Sequence, residues 1–249
     1  MRILLTNDDG VASPGLLGLR DVLEESGHDV WTVAPDGERS GMSNYITITE
    51  PIRCESVGER IFATSGSPAD CVMVALLGVI PETPEVVVSG INIGPNLGTD
   101  IIYSGTAAGA RQAAYKGIPG IAVSLNSFRP PLYFAPVARF VAEHLRELRE
   151  LWNPDHFINI NAPNIDRDGL PVHITRPSVG RDDDKLHRWE PPRGGTYYFV
   201  DGRLSRSVPE AGTDWHAIDQ GAISISPVML NPVNHTIEEA YQRASFIRG

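Results

Sequence analysis

The first thirty-four residues constrain the fold more than any other stretch of this chain. Arg2 to Thr6 (RILLT) is a near-continuous apolar run, the pattern of a strand buried on both faces. Asn7-Asp8-Asp9-Gly10 breaks it off. A helix is expected from Pro14 to Ser26. Ser13 stands where a cap belongs, Pro14 fits the first turn, Leu16, Leu19 and Leu23 form one apolar stripe, and Gly27 is a stop signal. Asp29 to Ala34 (DVWTVA) is the next strand. A strand, a helix and a strand so closely joined make a right-handed crossover in a parallel sheet.

The same alternation continues. Residues 35–45 form a polar loop, and the alternating segments YITIT and RIFAT within 45–65 predict a hairpin-like excursion. Ser67 as cap, Pro68 at the first position and Asp70 in the first turn predict a helix running to about Val79. Glu85 to Ser89 is a buried strand, and Gly90 to Tyr103 a long loop rich in glycine and asparagine. Ser104 to Lys116 is an Ala- and Gly-rich helix that should pack closely on a neighbour. A strand at Ile118 to Leu125, a helix at Leu132 to Leu151 and a strand at Phe157 to Asn161 follow.

After about residue 165 the texture changes. VHITR, TYYFV and AISISPV are short and strand-like, residues 180–195 read as an exposed loop, and Thr236 to Phe246 as a short helix. The expected architecture is α/β: a doubly wound, Rossmann-like core over 1–165 and a strand-rich C-terminal extension over 166–249. Such sheets bind ligands beyond the carboxyl ends of their strands, at a switch in strand order. The loops 7–10, 35–44 and 90–103 all follow strands and are expected to meet at one edge.

Charge and composition exclude several classes of function. A formal net charge of −10 argues against nucleic-acid polymers and anionic lipid surfaces as partners. No apolar run approaches the roughly 20 residues that cross a membrane, and the N-terminus lacks the features of a signal peptide. A cytoplasmic location is therefore expected, with Cys54 and Cys71 free and buried. There is no GxGxxG after the first strand, no GxxxxGK[ST], no GxSxG and no HExxH.

Two adjacent carboxylates, Asp8 and Asp9, follow the first strand. Unpaired buried acids are costly, so a hard cation such as Mg²⁺, Mn²⁺ or Ca²⁺ is a natural partner; the same four residues are also good turn chemistry. Asn92 and Asn96 offer neutral carbonyl ligands, phosphate donors or Asx turns. Ser104-Gly105-Thr106 opens a helix, where free N–H groups bind anions or a serine simply caps. Ser40, Ser43 and Asn44 lie in the second loop, as weak ligands or a solvated segment. His216, in TDWHAID, reads as structural or interface and not catalytic.

These segments together resemble one family. LLTNDDG (4–10), APDGERSGMSN (34–44), SGSPADCVMVAL (65–76), SGINIGPNLGTDIIYSGTAAGA (89–110) and TDWHAIDQGAISISP (213–227) are similar to SurE, the survival protein E family of 5′/3′-nucleotidases and acid phosphatases. The resemblance implies a Rossmann-like core and one divalent cation per subunit, Mg²⁺ or Mn²⁺ first, on Asp8, Asp9, Ser40 and Asn92. Asp8 and Asp9 would be the catalytic pair. Asn44, Asn96, Ser104, Gly105 and Thr106 would line the phosphate and substrate site. Nucleoside monophosphates are the implied substrates, with 3′-nucleotidase or exopolyphosphatase side activities. A homodimer or homotetramer, with C-terminal segments reaching across, is the implied assembly. Water activated by the cation is the expected nucleophile, with an aspartyl-phosphate route second. The rival from another class is a nucleotide- or metal-binding module without turnover. Gly37-Glu38, Ser67 and Ala107-Ala108 depart from the common family pattern and touch no implied ligand.

Overall fold

In the computed structural model, residues 1–179, 184–201, 210–231 and 235–243 are described. The opening crossover forms as expected: β1 (Arg2–Thr6), α1 (Pro14–Glu25) and β2 (Asp29–Pro35), with β1 and β2 parallel. Next come β3 (Cys54–Gly58), β4 (Ile61–Thr64), α2 (Pro68–Val74), β5 (Val86–Ile93), α3 (Gly105–Tyr115), β6 (Gly120–Asn126), α4 (Phe134–Leu151) and β7 (His156–Pro163). The later residues supply β8 (Val172–Ile174), β9 (Lys185–Trp189), β10 (Tyr197–Asp201), α5 (Asp214–Asp219), β11 (Ile223–Met229) and α6 (His235–Gln242).

Nine strands make the main sheet in the order β3-β4-β2-β1-β5-β6-β7-β11-β8. The six from β4 to β7 run parallel; β3 and β11 pair antiparallel with their core neighbours, and β8 is parallel to β11. Successive side chains of a strand point to opposite faces. Ile3 and Leu5 of β1 accordingly join Leu16, Leu19 and Leu23 of α1 and Val141 and Leu145 of α4. Leu4 turns the other way, to Cys71 and Val72 of α2 and Ala113 of α3. Helices thus cover both faces. The small residues of α3 let it lie close to the sheet. A Cβ on Gly109 would stand 2.8 Å from Ser89 Oγ and 2.9 Å from Thr6 Cγ2.

Four expectations differ from the structure. RIFAT is β4, but its hairpin partner is β3, and YITIT forms no strand. Alternation alone does not make a strand without a free edge beside it. Here the Thr47 N–H and hydroxyl are both bonded to Asp70, at 2.9 and 2.7 Å. Residues 185–189, expected within an exposed loop, are a strand paired with β10; residues 180–183 lie outside the described residues. Ser13 occupies the cap position of α1 without making the capping bond. Cys54 and Cys71 are free, and only Cys71 is buried. The terminal helix is described as α6, and residues 244–246 of its expected span lie outside the described residues. Among the described residues no helix is long and apolar enough to cross a membrane.

Candidate active site

Strand order reverses at β1. The chain runs from β1 out to β2 and β4, then returns to place β5 on the other side of β1. The crevice at the carboxyl ends of β1 and β5 is the switch point at which ligands bind in sheets of this kind. Asp8 and Asp9 leave β1 there, and Asn92 lies near the end of β5.

Backbone and side-chain hydrogen bonds gather the three expected loops on this crevice. Arg39 N–H donates to Asp8 C=O at 2.7 Å, and Ser43 N–H to Tyr103 C=O at 3.0 Å. Ile93 N–H donates to Asp9 Oδ2 at 3.1 Å. The loop carrying Ser40 and Asn44 is pinned from beyond as well. Ser67 and Asp70 form a reciprocal capping box at the start of α2. The Ser67 hydroxyl then donates to Tyr45 C=O at 2.6 Å, so the helix cap also holds the loop's exit.

Asp8 is 4 % exposed, and the Thr106 hydroxyl donates to its Oδ1. Burial pushes its carboxyl above the ordinary range; the Thr106 hydroxyl and backbone N–H groups at the start of α3 pull the other way. Asp9 is pushed up to about 6, chiefly by burial, with the charges of Asp8 and Glu38 adding to it against the Ile93 N–H. Two desolvated acids side by side lack charge compensation. The close approach of α3 depends on a glycine. A Cβ at Gly105 would lie 2.8 Å from both Asp8 Cβ and Asp8 Oδ2, and 3.1 Å from Pro68 Cγ.

The donor chemistry fits a hard divalent cation. The Asn92 amide nitrogen donates to Gly94 C=O at 2.9 Å and Ile93 C=O at 3.3 Å, which leaves its Oδ1 as the unused end. Ser40 gives its proton to Glu38 Oε1 at 2.9 Å and keeps its lone pairs. Asp9, Ser13, Glu38 and Ser40 line one cavity of about 370 Å³. The buried Ser13 hydroxyl has no hydrogen-bond partner among the described residues. Among the described residues no group of three His, Cys, Asp or Glu side chains is gathered for a metal. The set here is instead two acids with neutral oxygens.

The expected phosphate residues sit around the same helix start. Ser104 caps α3, its Oγ accepting from Ala107 N–H at 3.0 Å. Thr106, expected to serve phosphate, is bonded to the carboxylate expected to hold the metal, so the two halves of the site share a residue. Asn96 is buried; its amide donates to Ser124 Oγ at 2.8 Å. Asn44 lies further out and accepts from Arg111 Nη1 at 2.7 Å.

Sequence reasoning missed the residues that hold this loop in place. Asn161 Oδ1 accepts from Asn96 N–H, and the amides of Asn159 and Asn161 both donate to Asn96 C=O, at 2.8–3.0 Å. Their signal was present: two asparagines at alternate positions in an apolar strand, FININAP. In TDWHAID the anchor is Asp214 and not His216. Fully buried Asp214 accepts from Gly98 N–H at 2.7 Å and Ser178 N–H at 2.9 Å.

Known proteins share this arrangement at large. The family described as Survival protein SurE matches residues 3–183. A 5′-nucleotidase SurE of Thermosynechococcus vestitus is 42% identical over 243 residues, 93% of this chain and 91% of that protein. One from Desulforudis audaxviator is 39% identical over 253 aligned positions, covering 98% and 97%. The crystal structure of a SurE protein from Aquifex aeolicus is similar with a TM-score of 0.86 at 32% identity, covering 97% of this chain and 98% of that one. Family, relatives and fold agree along nearly the whole length, and the chain belongs to the SurE family.

Proposed function

We propose that this protein is a divalent-metal-dependent 5′-nucleotidase that releases phosphate from nucleoside monophosphates. The observation that carries the reading is the meeting of an all-oxygen donor set with the start of α3 at the β1/β5 crevice. The relatives named 5′-nucleotidase SurE support the reaction class. Asp8, Asp9, Ser40 and Asn92 would hold one cation, Mg²⁺ or Mn²⁺. When bound, it neutralises charge on the phosphoryl oxygens and acidifies water beside it.

The chain's own groups do the rest. Thr106 fixes the rotamer of Asp8. Ser104 Oγ accepts the Ala107 N–H and still has its proton to give to a phosphate oxygen. Asn96 has a second amide proton for the same purpose. Gly105 lets the helix start come close, so that its dipole favours the anion. Asn44 meets the substrate from the second loop. Water attacks phosphorus opposite the nucleoside oxygen: a new P–O bond forms as the bond to the nucleoside oxygen breaks, and a proton of the water ends on that oxygen, giving nucleoside and inorganic phosphate.

Phosphate release from a panel of nucleoside 5′- and 3′-monophosphates tests this directly. Hydrolysis is expected to stop on chelation and return with Mg²⁺ or Mn²⁺. Full turnover in metal-free buffer would overturn the metal reading. Tight nucleotide binding without release under every ion would leave a binding module instead. Two free thiols accord with a cytoplasmic location.

The residues after 165 are assigned here to assembly as a homodimer or homotetramer. β9 and β10 form a separate two-stranded sheet. Leu186 and Val200 are exposed on one face of it, Trp189 and Phe199 on the other. A lone hairpin is marginal in water, and apolar surface on both faces marks an interface. Phe199→Glu combined with Val200→Glu places a charge on each face and is expected to dissociate the oligomer at micromolar concentration in sedimentation. An unchanged assembly, or a wild-type monomer, would count against this role.

A further inference from the structure

A second cavity lies on the far side of the Gly98–Ile102 turn, with a volume of about 560 Å³. It shares no lining residue with the cavity of Asp9 and Ser40. Its size is that of a small-molecule site. Ile101, Ile102, Tyr115, Val228 and Met229 give it apolar walls. The Tyr115 ring is fixed there by its hydroxyl, which donates to Leu230 C=O at 3.0 Å.

One charged group lies in this apolar wall. Arg111, on α3, is 8 % exposed. In a chain with 31 acids and 21 basic residues, a buried guanidinium normally has a carboxylate. Arg111 has none among the described residues. Its contacts are the neutral Asn44 Oδ1 at 2.7 Å and the Phe157 ring, 4.8 Å from its guanidinium carbon. Those contacts leave most of its five N–H donors without an acceptor among the described residues. A buried cation without a counter-charge among the described residues is unfavourable, and an anion in the apolar space beside it would relieve that cost.

We propose that this cavity is a second ligand site, for a small organic anion whose phosphate, sulfonate or carboxylate group pairs with Arg111 and whose ring system lies against Tyr115 and Ile102. The anion supplies the missing counter-charge, and a guanidinium matches such groups with two parallel bonds. The cavity shares Asn44 with the proposed substrate site but none of the proposed metal ligands, so binding in chelator is read apart from metal-dependent turnover.

1-Naphthalenesulfonate, a fixed anion on an apolar ring system, is a suitable probe. Isothermal titration calorimetry is run on the full chain in chelator, so that no hydrolysis can occur. One site per chain is expected. Arg111→Gln should weaken it by about tenfold to a hundredfold, the loss of one charge-assisted contact. Ile102 is 59% exposed, so Ile102→Trp should fold normally and block the cavity by filling its mouth; an unchanged Tm with binding lost supports the site even if Arg111→Gln misfolds. AMP is then titrated as competitor: displacement identifies a nucleotide as the occupant, and no displacement identifies another organic anion. Absence of binding to the wild-type chain would overturn the proposal, as would equal binding in both variants.

Discussion

Asp8→Asn and Asp9→Asn will each weaken divalent-cation affinity by roughly a hundredfold or more, beyond the tenfold to hundredfold typical of an outer partner. Both keep the side chain's size and remove one of the two negative charges of the proposed ligand set. Hydrolysis should fall with affinity and recover in part at high metal. The same carboxylates make the cation's effect pH-dependent. In the metal-free chain Asp9 keeps its proton to about 6, against an ordinary value of 3.8. The folded chain then binds more protons than the unfolded one across that interval, so this group's contribution to stability falls as pH rises through it. A cation must displace those protons. The rise in Tm on adding Mg²⁺ or Mn²⁺ should therefore be larger at pH 7 than at pH 5, and smaller in both variants. Normal metal binding in both, measured by calorimetry, would remove these residues from the cation site.

Gly105→Ala is expected to lose activity out of proportion to the one carbon it adds. The new Cβ would meet the Asp8 side chain at 2.8 Å and the Pro68 ring at 3.1 Å. Asp8 is buried and bonded to Thr106, so it has little room to give. Overpacking of this kind costs about 1–3 kcal/mol of stability. The loss in kcat/KM should be larger, on the order of a hundredfold to a thousandfold, because a displaced carboxylate and a displaced helix start each remove electrostatic stabilisation. Alanine is a better helix former than glycine. A variant with full activity would show that α3 and Asp8 can separate without consequence.

Much of this site could be read in the sequence because its parts obey local rules. A strand buried on both faces is apolar throughout, so RILLT ends visibly at Asn7 and the acids stand out. Ser67, Pro68 and Asp70 carry a helix start within four residues. What stayed hidden depends on partners far along the chain. KLHRW and TYYFV pair as β9 and β10. TYYFV reads as strand-like, but KLHRW, with no buried face, shows no inside–outside alternation by which a strand is recognised. Asp214 drew less notice than His216 because a histidine suggests chemistry, whereas an acid at the start of a helix passes for an ordinary cap. Arg111 was hidden by its setting: in an Ala-rich helix it reads as the solvent-facing residue, yet it is buried. The Thr106–Asp8 bond joins residues 98 positions apart, and no spacing rule reveals it.

The bond from Gly98 N–H to Asp214 spans 116 residues, and that separation sets an order of events during synthesis. Strands β1 to β7 can emerge from the ribosome and pair before Asp214 has been made. At roughly 5–20 residues per second, translation covers that gap in about 6–23 s. During that time the nascent sheet can exist while the loop after Asn96 lacks its last anchor. The candidate site is thus completed from the C-terminal end: a half-synthesised chain holds both aspartates yet lacks the Asp214 anchor, and premature termination leaves the cell a sheet without a set Gly98 turn.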